Sequence, residues 1–456
     1  MMNPTDDKSL LLKGFLGNLP EAAAGKLARA VEVDRLMDGH DLPHDAILTG
    51  LRPALRHTDR TSTPLRVFCQ PFEDLLVSEP RKEKQKAVIA RASVVPLWNW
   101  LGADLLPDEV QAYFRDTKAL LLAGKLDQAL ARARPFWRQA GAAIRGALTG
   151  GQGLSVAAKK LTKDEIADAR EIALLLQEAD EMIKIQQHLP KPLPHLTEEI
   201  LWQLRESYDA LIARNPDAAP FVAVMAMNRL QRPWEALRLP LMVSRQTGDA
   251  LISKTDMGLV GEILFARMDA MKAVILAARH PVPDAQLLID QVVAFSDLSS
   301  ALVKEVEMRR DGEWGQRLLK DRAAIGSVMD AFMDRAIKEI AQDLPMHRGA
   351  ADFSRLTPPD RRSAALNYAK LVAGTRHFAA AGSFAAKQMS AMEETCNHLR
   401  RYVENAVHDL RGTSGEKRSI VESQLQFCAE LAALLFGGEE AELIRRRLKA
   451  AQSAAA

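Results

Sequence analysis

One register of apolar residues constrains the fold of this chain more than any other feature. Between residues 385 and 410, small or apolar side chains recur at alternating spacings of four and three. They are Ala385, Met389, Met392, Cys396, Leu399, Val403, Ala406 and Leu410. This spacing places all of them on one face of an α-helix, and such a face is normally buried against other helices. The pattern therefore predicts a long bundle helix that ends at Gly412.

The same period extends over the C-terminal region, residues 357–456. It predicts four amphipathic helices, at about 359–379, 383–411, 415–435 and 438–451. Their short connections favour an antiparallel four-helix bundle. Thr413-Ser414-Gly415-Glu416 has the spacing of a capping box and predicts the start of the third of these helices.

Two further regions precede the bundle. Residues 160–345 predict a middle region of long helices, beginning at the capping box Thr162-Lys163-Asp164-Glu165. Residues 1–149 contain many prolines and predict an N-terminal region of short helices. Runs typical of strands, such as Val94-Val95, are short and rare. The sequence therefore predicts an all-α, multi-helical protein with no substantial β-sheet.

Composition excludes several classes of protein. The chain has 456 residues, of which 47% are hydrophobic and 26% charged, as in soluble globular proteins. A net charge of +2 gives no general attraction to nucleic acid, so we expect no nucleic-acid partner. The basic runs at 81–86 and 445–449 are interpreted as solvated helix faces.

Cellular location follows from cysteine usage and from the absence of targeting patterns. The three cysteines are Cys69, Cys396 and Cys428; their odd number and wide separation favour a reducing compartment. The N-terminus has acids where a signal peptide has basic residues, and no apolar stretch reaches about 18 residues. These observations predict a cytoplasmic protein without a transmembrane segment. The abundance of Ala, Leu and Arg fits a GC-rich bacterial genome.

The segment His408-Asp409-Leu410-Arg411-Gly412-Thr413-Ser414 resembles the signature of histidine phosphotransfer domains, which is His-x-Leu-Lys/Arg-Gly followed by small residues. The resemblance implies a phosphoacceptor at His408 on an exposed helix face. Helical geometry puts His408, Arg411 and Gly412 on the face opposite the buried register. Arg411 would offset phosphoryl charge, and Gly412 would admit a partner's backbone. The alternative is an ordinary solvated helix ending.

Metal, cofactor and nucleotide sites are not predicted. Glu394/His398 and Glu404/His408 have i,i+4 spacing, which fits exposed side-chain pairing better than metal ligation. His40-Asp41 and His44-Asp45 resemble the metal-binding pair of helical His-Asp metallohydrolases, but no earlier histidine completes the set, and Asp41 fits a helix cap. The glycine cluster at 150–153 lacks a phosphate-loop ending.

Two tryptophans suggest a docking surface. Trp98 and Trp100 lie two residues apart, about 200° around a helix, so one is expected to face the core and the other not. An exposed tryptophan is a common anchor for protein partners. Core packing of both rings is the alternative.

Three functions are consistent with these patterns. The preferred hypothesis is a non-catalytic interaction or scaffold protein that binds protein partners through its helix faces. The second is a signalling module with histidine phosphotransfer at His408. The third is a helical enzyme whose site is assembled from distant helices.

Overall fold

The computed structural model describes residues 16, 19–36, 43–51, 63–78 and 83–453. Over these residues the chain is predominantly helical, which confirms the all-α, multi-helical prediction. Strand β1 (Leu76–Val77) pairs in parallel with β2 (Ile89–Ala90), and β3 (Met346–His347) pairs in antiparallel with β4 (Ala350–Ala351). Beyond these two-residue strands and two isolated bridges, the described ranges contain no β structure.

The chain divides into two compact units, one ending at Gln231 and the other beginning at Arg232. This boundary lies inside the predicted middle region, and the three-region division stays a prediction. The helices of the first unit are α1 (Glu21–Leu36), α2 (His44–Leu51), α3 (Pro64–Cys69), α4 (Val94–Trp100), α5 (Pro107–Leu122), α6 (Leu126–Thr149), α7 (Gly151–Ala157), α8 (Lys163–Gln177), α9 (Ala179–His188), α10 (Glu198–Arg214) and α11 (Phe221–Arg229).

The start of α8 is set by the predicted capping box. Thr162 Oγ1 accepts a hydrogen bond from the Glu165 amide at 3.3 Å, and the Thr162 amide donates to Glu165 Oε2 at 2.7 Å. Both interactions satisfy amides that lack a partner at a helix start. The capping box is therefore confirmed.

Buried ion clusters bind loops to helices in the first unit. The Lys84 ammonium lies 3.0 Å from Asp168 Oδ1 and 2.7 Å from Glu171 Oε2. It also donates to the carbonyls of Gln85 and Val88. Lys84 belongs to the basic run at 81–86, so this member of the run is an internal partner of α8 and does not lie on a solvated face.

The helices of the second unit are α12 (Arg238–Ser244), α13 (Asp249–Ile252), α14 (Leu259–Ala277), α15 (Ala285–Glu305), α16 (Glu313–Asp343), α17 (Pro359–Gly374), α18 (Ala385–Leu410), α19 (Gly415–Leu435) and α20 (Gly438–Ser453). The last four correspond to the four predicted C-terminal helices and pack on one another as a bundle. Helix α16 packs against α17 and α18.

A buried carboxylate begins the 31-residue helix α16. Asp249 is fully buried, and its two carboxylate oxygens accept from the amides of Arg309 at 3.1 Å and Gly315 at 2.9 Å. A Cβ at Gly312 would come within 2.2 Å of this carboxylate, so only glycine lets the chain approach so closely. Negative charge at a helix N-terminus is stabilising.

Helix α15 is the one described helix that is long and apolar enough to cross a membrane. Half of its most apolar window is buried inside the second unit. Its buried face includes Leu288, Val292, Phe295 and Leu302, which belong to the hydrophobic core. These contacts are those of a core helix.

Candidate functional site

The buried face of α18 departs from the predicted register in its first half. From Cys396 to Leu410 the predicted residues are buried, as expected. Before Cys396 the core positions are instead Gln388, Ala391 and Thr395, each no more than 2% exposed. Met389, predicted to be buried, is 66% exposed, and Met392 is only partly buried.

Internal hydrogen bonds explain the displaced register. Gln388 Nε2 donates to the carbonyl of Val372 at 2.9 Å, and Thr395 Oγ1 donates to the carbonyl of Ala391, one turn earlier in α18. Buried polar groups are tolerated when they are hydrogen-bonded. Two polar side chains therefore occupy the core face, and the two methionines face outward.

The exposed Met389 and the partly buried Met392 line an open groove of about 450 Å³ on the second unit. Its floor is the outward stripe of α18, and Leu435 and Phe436 at the end of α19 line it from a second helix. We call it the methionine groove and define it by Arg376, Met389, Met392, Cys396, Arg400 and Phe436. The stripe from Met389 to Arg400 is about 16 Å long, at 1.5 Å per residue.

The polar part of the groove is positively charged. The Arg400 guanidinium lies 4.5 Å from the centroid of the Phe436 ring. Neither Arg376 nor Arg400 has an ion pair with a carboxylate in the part of the chain that the structure describes. Glu393 is the one acidic residue that also lines the groove.

Both guanidinium groups act on the thiol of Cys396. Burial raises the pKa of the Cys396 thiol above its ordinary value, and the positive charges of Arg400 and Arg376 oppose that rise. The thiol is consequently neutral at physiological pH and is a poor nucleophile. Both arginines line the same groove, which gives it positive charge beside this thiol.

Of the predicted phosphotransfer residues, His408, Arg411 and Gly412 are all exposed at the C-terminal end of α18. The Arg411 amide donates to the His408 carbonyl at 3.3 Å. A Cβ at Gly412 would meet only the Asp409 carbonyl, at 4.0 Å. The structure therefore brings the three residues together on one accessible helix end.

The capping box predicted after this segment does not form. The N-cap of α19 is Ser414, without a side-chain hydrogen bond to the helix. Thr413 Oγ1 donates instead to the Asp409 carbonyl at 3.1 Å. The hydroxyl of Thr413 therefore caps the C-terminal end of α18 and does not cap the N-terminus of α19.

The predicted acid–histidine pairs on α18 have other partners. Glu404 accepts two hydrogen bonds from the Arg447 guanidinium, at 2.8 and 3.0 Å. His398 Nε2 lies 2.7 Å from the Leu344 carbonyl and donates to it. No group of three or more His, Cys, Asp or Glu side chains in the described ranges is arranged to hold a metal ion.

The structure describes only part of the early His-Asp pattern. His40 and Asp41 are outside the described residues. His44 Nε2 lies 2.8 Å from Asp34 Oδ2, which joins α2 to α1.

The two predicted docking tryptophans lie in or beside the core of the first unit. Trp100 is 3% exposed. Trp98 is partly buried and packs edge-on against Phe68, with ring centroids 5.1 Å apart, and against Tyr113 at 6.0 Å. A docking role for either ring stays a prediction. Sequence reasoning did not single out Trp202, which is 60% exposed on α10.

Comparison with known proteins gives no assignment. No protein-family model, no curated protein and no solved structure matches the chain.

Proposed function

We propose that this chain is a non-catalytic, cytoplasmic interaction or scaffold protein, and that its second unit binds a helical segment of a protein partner in the methionine groove. The observation that carries the proposal is the exposure of Met389, at 66%, beside Met392 and Phe436. Apolar side chains that lie together in one open groove, rather than singly on the surface, favour a partner that covers them.

Methionine suits this role because its side chain is unbranched and flexible. Its thioether adapts to differently shaped apolar partners, and methionine is frequent on surfaces that bind helices. Full burial of a methionine contributes about 1.5–3 kcal/mol relative to exposure. A groove that runs for about 16 Å along α18 has the length of a few helical turns, which fits the mode in which an amphipathic helix lies in an apolar groove.

The test compares partner capture by three forms of the full chain. Wild type, Met389→Glu and Leu443→Glu are each used as bait in extracts of the native cell, and the bound proteins are quantified by mass spectrometry. Leu443 is 50% exposed on α20 and does not line the groove, so it is the matched control. We expect Met389→Glu to lose a partner that both other baits retain. Capture of the same proteins by all three baits contradicts the proposal.

A second function is favoured by a separate observation, the joint exposure of His408, Arg411 and Gly412. This arrangement supports phosphotransfer, in which His408 accepts a phosphoryl group from a receiver domain and Arg411 offsets its charge. The assay incubates the full chain with a phosphorylated receiver domain, separates the two proteins and measures phosphate on the chain that is labile in acid and stable in alkali, as phosphohistidine is and the receiver's aspartyl phosphate is not. His408→Gln should abolish the label, and His377→Gln, another exposed histidine, should retain it. Label that survives in His408→Gln excludes this function.

A further inference from the structure

We infer that the segment bound by the methionine groove is an acidic amphipathic helix, whose carboxylates bind Arg376 and Arg400 while its apolar side chains cover Met389, Met392 and Phe436. The inference rests on the proposed function and specifies the chemistry of the partner. It is carried by the charge of the groove and by the order of its residues along α18.

The groove has a positive charge that an acidic partner would complement. Two guanidinium groups line the groove without a carboxylate ion pair in the described part of the chain, against one acid, Glu393. Both arginines line the same groove as Cys396. A guanidinium recognises a carboxylate through paired N–H donors, which gives strength and orientation. An acidic side chain is the complementary group.

The ring of Phe436 holds the Arg400 side chain in place before a partner binds. Its guanidinium lies 4.5 Å from the centre of the Phe436 ring, within the range of a cation–π contact. A guanidinium stacked on an aromatic face keeps its N–H edge directed outward, where it can bind a carboxylate. The partner's acid would then meet a side chain that has already lost part of its rotamer freedom.

The apolar and charged groups on the outward stripe of α18 lie at opposite ends of that stripe. Met389 and Met392 lie at one end and Arg400 at the other, eleven and eight residues apart. At 1.5 Å per residue these separations are about 16 and 12 Å. A partner helix with apolar residues on one turn and acids two to three turns further on matches both ends at once. A partner of uniform apolar character would leave the arginines without a partner.

The experiment uses three short fluorescein-labelled helical peptides of identical apolar face. The apolar face of each peptide consists of leucines on one turn. At the positions two to three turns further on, the first peptide has Glu, the second has Gln and the third has Lys. Binding to the full chain is measured by fluorescence anisotropy at low and physiological salt, for wild type, Met389→Glu and the double variant Arg376→Glu/Arg400→Glu. Circular dichroism and thermal unfolding check that each variant is folded.

We expect the Glu peptide to bind wild type at least about tenfold more tightly than the Gln peptide, since each charge-assisted contact contributes about the energy of one tenfold step. The double variant should prefer the Lys peptide, and added salt should weaken the Glu peptide most. Met389→Glu should weaken all three. Binding of the Glu and Gln peptides with equal affinity overturns the inference while the proposed function stands. Failure of all three peptides to bind wild type overturns both.

A footprint at Asn397 locates the peptide. Asn397 lines the groove and is exposed, so Asn397→Cys places an accessible thiol there. Cys69 and Cys428 are at most 4% exposed and lie outside the groove, so they serve as internal controls for alkylation by N-ethylmaleimide. The Glu peptide should slow modification of the introduced cysteine and leave the two controls unchanged. A bound peptide that leaves the introduced cysteine unprotected contradicts the site. Laurate added in place of the peptide tests for lipid binding. If laurate protects the introduced cysteine as well as the Glu peptide does, the groove binds a lipid carboxylate, and the inference of a helical partner is wrong.

Discussion

Arg229 in the first unit and Arg400 in the second are both held at the side of a helix, but their surroundings differ. The Arg229 side chain is 11% exposed, donates to Asp74 Oδ2 at 2.7 Å and also donates to the carbonyls of Gln186 and Leu189. Asp74 in turn accepts from Lys191 at 3.0 Å. Arg400 stacks on Phe436 and has no carboxylate partner among the described residues.

The comparison separates two uses of the same residue type. A buried guanidinium whose donors meet a carboxylate and carbonyls is part of the fold, because removing it leaves buried acceptors without partners. A guanidinium on an aromatic ring at the edge of an open groove contributes little to folding and keeps its donors for another molecule. Replacing Arg229 should therefore lower the free energy of unfolding much more than replacing Arg400.

The largest effect is expected for Arg229→Met. This change leaves the buried Asp74 carboxylate with Lys191 alone and should lower the free energy of unfolding of the first unit by about 3–5 kcal/mol. Urea unfolding combined with hydrogen exchange of peptides from α9 and α11 measures it. The control is Arg134→Met, whose ion pair with Asp180 joins two exposed side chains of the first unit and is worth about 0.2–1 kcal/mol. Similar losses of unfolding free energy in both variants would show that burial of Arg229 does not make it more important for the fold than a surface arginine.

An intermediate effect is expected for His398, which is on the same helix as Arg400. Burial lowers the pKa of His398 below its ordinary value; the hydrogen bond to Leu344 opposes this change, and the positive charge of Arg401 adds to it. The folded state thus binds fewer protons than the unfolded state. The stability that depends on neutral His398 is complete above pH 6.5, the ordinary value, and is lost as the pH falls through the lower folded value.

His398→Gln tests this dependence, because glutamine keeps a donor for the Leu344 carbonyl and does not titrate. The melting temperature of wild type should fall as the pH is lowered from 7 to 5, and the fall should be shallower in the variant. The measurement is differential scanning calorimetry across that range. Parallel curves for the two proteins would show that His398 has the same pKa in the folded and unfolded chain.

The smallest effect is expected for Arg400→Met. The cation–π contact with Phe436 at an exposed site is worth about 0.5–1 kcal/mol, so the free energy of unfolding should change by no more than that. Chemical unfolding of the full chain measures it. A loss as large as that of Arg229→Met would assign Arg400 to the folding core and remove the basis for its role in binding.

The residues of α18 show how far the sequence could be interpreted. The spacing of apolar residues predicted the helix, and the buried positions from Cys396 to Leu410 are confirmed. Met389 was assigned to the wrong face, and Met392 is buried only in part, because the pattern counts apolar residues and cannot show that Gln388 and Thr395 have internal acceptors. The capping box at Thr162 is confirmed, and the one at Thr413 is wrong, since that hydroxyl bonds backward to Asp409.

Candidate binding residues were harder to predict than helices. The aromatic pair Trp98 and Trp100 was noticed for its spacing, whereas the groove residues Arg376 and Phe436 lie outside α18, before its start and after the next helix. A single sequence without its fold gives no reason to place these two beside Met389. The exposure of His408, Arg411 and Gly412 did follow from helical geometry, because all three lie within one turn and a half of one helix end.

The amino-acid sequence alone determined that this chain forms helices packed side by side, because the period of apolar residues is a local property that any packing must respect. It also determined where several of those helices begin and end. Only the tertiary structure decided which side of α18 is covered, since that choice depends on the hydrogen-bond acceptors and the helices that arrive from distant segments. The methionines and arginines of the groove remain on the surface for that reason.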